Sequence, residues 1–275
     1  MNTYSRSPIT GGTLLFVFLG LGQTCLHAAD GLTVDQKEAF LRTAKIINAK
    51  SPKKGTTETI RVTLSDGNIT HDANVQVIDD RRVTFRGESG STIMNFKDLW
   101  QFNVAGWKMA RLLGVDDMTA PTVERKYKGQ AGSFTWWIDD IAMDEEDRLN
   151  KKLQAPDQTT WAKETNTIHV FTQLIYDWDA NATNQLYDKE WHTWMIDFTR
   201  SFRTEKTLEN PKMLTQCDRK LLAKIKTLDE ATLLKELKPY VTKDEIKAML
   251  ARRDLIVAFF EAKGESGLFD RPLRQ

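Results

Sequence analysis

Three side chains within the stretch 176–203 have the types and spacing for one kind of chemistry. Asp179 and Asn184 lie five positions apart, and Asp197 follows at the end of an apolar run, Trp194-Met195-Ile196-Asp197. Moving a phosphoryl group asks little covalent work of a protein. It needs a carboxylate that orients and deprotonates an attacking hydroxyl, and hard oxygen ligands that hold magnesium on the phosphates. Two neighbouring backbone segments supply both here. Asp and Asn are also the commonest turn residues, so Asp177, Asp179, Asn181 and Asn184 could equally form a plain polar loop, and the spacing alone carries nothing. The surrounding pattern gives it weight: an apolar helix before it, a short hairpin after it, and a strand that ends in Asp197.

The elements that must position these groups follow from periodicity. Residues 161–177 place Ile168, Phe171, Leu174 and Ile175 at helical spacing. Residues 185–187 and 193–196 read as two short strands. Upstream, 32–49 is amphipathic at helical spacing, and 59–64 and 69–78 alternate around Asp66-Gly67, a hairpin turn signal. Residues 82–86 read as a third strand, 98–113 as a helix stopped by Gly114, and 121–128 with 132–138 as another antiparallel pair. The acidic stretch 139–150 reads as a connector. Helices are expected over 214–226, 230–238 and 243–260, the last opened by Thr242 and Glu245 at capping-box spacing. Strands, a helix, more strands, a connector and a helical half amount to an α+β chain.

Composition narrows the partners. With 39 Lys and Arg against 38 Asp and Glu, the net charge is +1, and nothing favours a nucleic-acid partner. At the N-terminus Arg6, the apolar run 13–21 and Ala28-Ala29 have the layout of a secretory signal peptide. The apolar run is shorter than the roughly 20 residues that span a bilayer. The expected product is exported, periplasmic or secreted, with no stable membrane span after cleavage. Cys25 would leave with the signal, and Cys217 then stands without a disulfide partner. The four histidines sit near no Cys pair, which argues against a zinc site. The eight tryptophans and His71 and His169 read as packing residues, and Arg200 and Arg203 as structural neighbours of Asp197.

The segment Asp179-Ala180-Asn181-Ala182-Thr183-Asn184 is similar to the D-R-H-x-x-N loop of phosphatidylinositol kinases and HipA-type kinases. The segment 194–202, W-M-I-D-F-T-R-S-F, is similar to their I-D-F or I-D-H strand. More loosely, 96–114 and 120–125 resemble the helix-C region and following strand of bacterial kinase-like proteins of unassigned function. The resemblance runs over residues 60–203. It implies a bilobal protein-kinase-like fold with a β-rich N-lobe over 56–145 and a mainly helical C-lobe over 146–275, preceded by a signal peptide (1–29) and a helix and linker (30–55). It also implies Asp179 as the catalytic carboxylate, Asn184 and Asp197 as metal ligands, and Mg²⁺ and ATP as cofactors. Kinases hold the α- and β-phosphates with a third-strand Lys paired to a helix-C Glu. Here Asn103 takes the Glu position, and the cation is expected at Arg86, with Lys97 as the alternative. Ala180 and Asn181 replace the Arg and His of the loop, and the first hairpin has only Gly67, beside Asp66.

The expected activity is transfer of a phosphoryl group from a nucleotide to an unidentified protein or small hydroxyl-bearing substrate. Two other readings stay open: an inactive pseudokinase used as a binding scaffold, and a nucleotidyl transferase built on the same metal site.

Overall fold

The computed structural model describes residues 31–50, 59–87, 90, 92–272 and 274. The expected signal peptide lies outside the described residues. Helix α1 (Val34–Thr43) starts at a reciprocal capping box between Thr33 and Gln36 and ends at Ala44, which is already extended. The chain continues as strand β1 (Lys45–Lys50), where a helix was expected. The paired Ile46-Ile47 favours a strand, and β1 finds its partner in β2 (Ile60–Ser65). Strand β3 (Thr70–Gln76) returns from the Asp66 turn. Next comes a hairpin of β4 (Asp79–Arg86) and β5 (Thr92–Leu99), which among the described residues pairs only with itself. Helix α2 (Trp100–Leu113) follows and is closed by Gly114 in the left-handed conformation. Strands β6 (Thr122–Tyr127) and β7 (Gln130–Trp136) complete a five-stranded antiparallel sheet of order β1-β2-β3-β7-β6. The β4–β5 hairpin and α2 are therefore inserted between two neighbouring strands.

The expected connector is structured. It forms β8 (Ile141–Asp144) and helix α3 (Glu145–Lys151), capped by the Asp144 side chain. Helix α4 (Gln158–Ile175) leads to β9 (Gln185–Asp188) and β10 (Thr193–Met195), which join β8 in a small sheet. The rest is helical apart from two short parallel strands: β11 (Cys217–Asp218), α5 (Arg219–Lys226), α6 (Glu230–Leu237), α7 (Lys243–Lys263) and β12 (Leu268–Phe269). The Thr242–Glu245 capping box forms as expected. Among the described residues, no helix is long and apolar enough to cross a membrane.

Two cores result. One packs α1 through Phe40 and Leu41 onto the inner face of the sheet, at Val62, Val75, Val123 and Phe134. The other joins α4 to α7 and also takes in Phe102, Met109 and Leu113 of α2. Helix α2 thus belongs structurally to the helical half while lying under the sheet. It can do so because Gly106 leaves room for the ring of Phe198, which a Cβ would strike. Phe198 is the residue after Asp197, so this contact sets the distance between α2 and the site. Gly106→Ala should lower stability by about 1–3 kcal/mol through overpacking. A chemical-denaturation midpoint equal to the wild type would show that the contact is slack.

Candidate active site

Helix α4 ends at Ile175, and Tyr176 takes left-handed backbone (φ 53), which turns the chain into the loop 177–184. The loop is closed by its own polar groups. The carbonyl of Asp179 accepts from the Asn181 N–H at 2.7 Å and from Asn184 Nδ2 at 3.0 Å. Asn181 Oδ1 caps the next turn by accepting from the Thr183 N–H at 2.9 Å. The carbonyl of Asn184 accepts from the Ile196 N–H at 3.1 Å, so the end of the loop lies beside the residue that precedes Asp197.

Asp197 itself is left-handed (φ 58), a conformation uncommon for a residue with a Cβ. Its carboxylate is tied on both oxygens: Oδ1 accepts from Thr199 Oγ1 at 2.8 Å, and Oδ2 accepts from Gln76 Nε2 at 3.2 Å. The next N–H, of Phe198, donates to Asn103 Oδ1 of α2 at 2.8 Å. Burial pushes the pKa of Asp197 up, opposed by the Thr199 hydrogen bonds.

Asp179 Oδ2 accepts from Arg200 Nη1 at 2.9 Å, and the same guanidinium donates through Nε to Asp98 Oδ2 at 2.7 Å. Phe96 and Trp178 flank Arg200, each with its ring centre at 5.7 Å. Burial works against the charge of Arg200, but the Asp98 and Asp179 carboxylates outweigh it and hold its pKa above the usual value. Asp177 is only 4% exposed. Its Oδ1 has no hydrogen-bond partner among the described residues. Burial, reinforced by the charges of Asp197 and Asp179, pushes its pKa up to about 8.

Above Asp197, between the sheet and the small β8–β10 sheet, lies a cleft of about 360 Å³, within the size range of small-molecule sites. Its walls include Thr59, Gln76, Asn103, Trp137, Leu186 and Asp197. Among the described residues, no three His, Cys, Asp or Glu side chains group closely enough to hold a metal alone. That does not exclude magnesium, which takes one or two carboxylates and completes its shell with phosphate and water. Asp197 lines this cleft, whereas Asn184, whose Nδ2 donates to the Asp179 carbonyl, lines a separate small cavity with Asp177.

No protein-family model matches the chain, and no curated protein sequence does. Solved structures do. The structure of hydra Fam20 with sugar aligns at TM-score 0.63 and 16% identity, over 87% of this chain and 93% of that one. A Golgi casein kinase aligns at TM-score 0.58 and 12% identity, over 87% of this chain and 80% of that one. The same kind of enzyme with Mn/ADP bound aligns at TM-score 0.56 and 12% identity, over 86% and 78%. The chain has a protein-kinase-like fold.

Within that fold the expected positions can be located. Asp179, Asn184 and Asp197 lie on the adjoining segments described above, and Asn103 faces the cleft. Arg86 does not. It is an exposed residue of β4, opposite Thr92, and does not line the cleft. Lys97 is also elsewhere, ion-paired to the buried Glu245 at the start of α7. Both expectations fail because β1 was read as helix, which shifted the strand count by one. The third strand of the sheet is β3, and the side chain that reaches from it to Asn103 is Gln76. Gln76 was missed for that reason. Counting the run 45–50 as a strand would have pointed to it. His71 also has a role that local spacing hid: Nε2 meets Asp139 Oδ2 at 2.7 Å, and its ring stacks on Trp136 at 3.9 Å, pinning β3 to the segment that joins the two halves.

Asp177 allows a test of the site's electrostatics. An ordinary Asp ionises at 3.8, whereas Asp177 in the folded chain does so at about 8. Between those values the native state keeps a proton that the unfolded state has lost, so stability falls as pH rises through the window. Asp177→Asn should flatten the pH dependence of melting temperature between about pH 5 and about pH 8, and melt above the wild type at the alkaline end. Parallel melting curves for the two proteins across that range would contradict the shift.

Proposed function

We propose that the chain is a metal-dependent phosphotransferase that moves a phosphoryl group from a nucleotide to a hydroxyl-bearing substrate. The observation that carries this reading is the setting of Asp197. Its carboxylate lines the cleft between the two sheets in left-handed backbone, with the Asn184 carbonyl bonded to the neighbouring Ile196 N–H and Asp179, held by Arg200, on the same loop as Asn184. In this reading Asp197 and Asn184 hold Mg²⁺ or Mn²⁺, which when bound would neutralise charge on the donor phosphates. Asp179 orients the acceptor hydroxyl and takes its proton as the oxygen attacks phosphorus. Arg200 fixes the direction of the Asp179 carboxylate, and Asp98 holds Arg200 in place.

Two neighbouring structures support the reading without deciding it. One, a Golgi casein kinase, holds Mn/ADP, and another, hydra Fam20, is described with a sugar. Protein and sugar hydroxyls are therefore both reasonable acceptors. A secretory-pathway kinase among the neighbours also suits the expected export, and a periplasmic or secreted location is part of the proposal. The pseudokinase reading has one specific observation in its favour: where kinases use a Lys–Glu ion pair, Asn103 here meets Gln76, a neutral amide.

The two readings separate by binding and transfer. Mg²⁺ or Mn²⁺ with ATP should raise the melting temperature of the wild type, and Asp197→Ala should abolish the rise. Asp179→Ala should keep the rise but lose about 10²–10⁴-fold in transfer of labelled γ-phosphate. Transfer of label from the α-phosphate instead would indicate nucleotidyl transfer. No thermal response to any nucleotide, in wild type and Asp197→Ala alike, would leave the scaffold reading.

A further inference from the structure

We infer that the outer edge of β6 is a docking site, where an extended acidic peptide of a partner protein adds as a further strand of the sheet. The inference is independent of the nucleotide site and starts from a turn. Tyr127 and Gln130 pair across Lys128 and Gly129, both in left-handed backbone, so β6 and β7 form a tight two-residue hairpin. From such a turn, hydrogen-bonded and non-bonded pairs alternate along the strands. The alternation runs back to Pro121, whose carbonyl accepts from the Trp136 N–H at 2.8 Å. Residues 123, 125 and 127 therefore direct their backbone groups at β7. The N–H and C=O groups of Thr122, Glu124 and Lys126 point the other way, and β6 is the last strand in the sheet. Among the described residues no other backbone segment bonds to that edge.

A groove of about 620 Å³ runs along it. Residues 122–126 all line this groove, although their side chains alternate between the two faces of the sheet, so what it meets is the strand edge itself. Val104 and Trp107 of α2 give it an apolar floor. Its carboxylates already have partners: Glu38 holds Arg42 and Arg111, Glu124 accepts from the Tyr240 hydroxyl at 3.1 Å, and Glu236 lies 3.9 Å from Lys235. Its cations do not all have them. Lys108, Arg125 and Lys126 line the groove and form no ion pair among the described residues. Arg125 donates to the Leu41 carbonyl at 2.8 Å, and burial lowers its pKa with no carboxylate to oppose the shift. A lysine on an edge strand ordinarily discourages pairing. Here it turns away neutral and basic strands and admits one that brings carboxylates. Main-chain bonds would give such a peptide its affinity, and alternate acidic side chains its specificity.

Fluorescence anisotropy with the full chain tests this, using three labelled hexapeptides: alternating Glu-Val, alternating Lys-Val, and Glu-Val N-methylated at every residue. The wild type should bind the first at least about tenfold more tightly than either of the others, because two lost main-chain bonds are together worth about that factor. Lys108→Glu with Lys126→Glu should reverse the preference in favour of Lys-Val, a gain that a misfolded variant would not show. Asp197→Ala should leave all three affinities unchanged. Equal binding of the Glu-Val peptide and its N-methylated form would mean charge attraction without strand addition and would overturn the inference. So would absence of Glu-Val binding, or its loss in Asp197→Ala. A stable dimer of the chain that the Glu-Val peptide does not dissociate would also overturn it, by putting a second copy on the edge.

Discussion

The hydrogen bond from the Phe198 N–H to Asn103 Oδ1 is the constraint on which the rest of the site depends. It joins the residue after Asp197 to a helix that is packed into the helical core yet lies under the sheet. It fixes which way the Asn103 amide faces, and through Asn103 it fixes Gln76. Without it both amides could flip, and Asp197 Oδ2 would lose its donor. The same residue secures the join from the other side, because its ring fills the space that Gly106 leaves open. Backbone polarity and side-chain volume at one position therefore act together, and α2 and Asp197 can be displaced only as a unit.

Two arginines hold the neighbouring loop, by opposite physics. Arg200 faces carboxylates and balances charge between Asp98 and Asp179. Arg252, fully buried on α7, faces carbonyls: Nε donates to the carbonyl of Leu174 at 2.9 Å and Nη1 to that of Arg203 at 3.1 Å, with the Tyr176 ring at 5.4 Å. The first arginine sets the electrostatics of the loop and the second satisfies the backbone where α4 ends. The inserted β4–β5 hairpin is explained by the first of these roles. It supplies Asp98 and Phe96 around Arg200, and its last residue ties its N–H to the carbonyl of Thr199 at 2.8 Å. A hairpin that among the described residues pairs with no other strand nonetheless helps to hold the arginine that meets Asp179.

The parts legible in the sequence were those governed by local rules. The Asp66 turn, the α2 stop at Gly114, the Thr242 capping box and the 185–196 hairpin each follow from a few adjacent residues. The loop and strand carrying Asp179, Asn184 and Asp197 were legible as well, because their spacing is short. The upper half of the site was not. It depends on the strand count, and β1 was hidden at the end of an amphipathic run, where its own six residues are all exposed and no buried face distinguished strand from helix. Arg86 was a reasonable choice by charge but sits on a hairpin whose separateness only the pairing reveals. Gln76 carries no charge to attract notice, and its partners are 27 and 121 positions away. The half-buried ion pair of Lys97 with Glu245 has the same long-range character.

The distribution of unsatisfied groups bears on whether this centre is worn down or rebuilt. A site drifting without selection for binding should loosen first where its charged pair was lost, because a buried amide without partners is as unfavourable as any other buried polar group. The Gln76–Asn103 pair instead has every polar atom engaged. Buried side-chain atoms without partners among the described residues occur in both halves, among them Asn74 Oδ1 on β3 at the same cleft and, around the loop, Asp98 Oδ1, Asp177 Oδ1 and Trp178 Nε1. Of those at the loop, two are carboxylate oxygens and one is a donor. Polar atoms left bare in a tightly organised setting are where a cation, water or substrate would supply the missing partners. The Gln76–Asn103 pair is therefore a completed neutral unit, set between unpartnered polar atoms on β3 and around the loop.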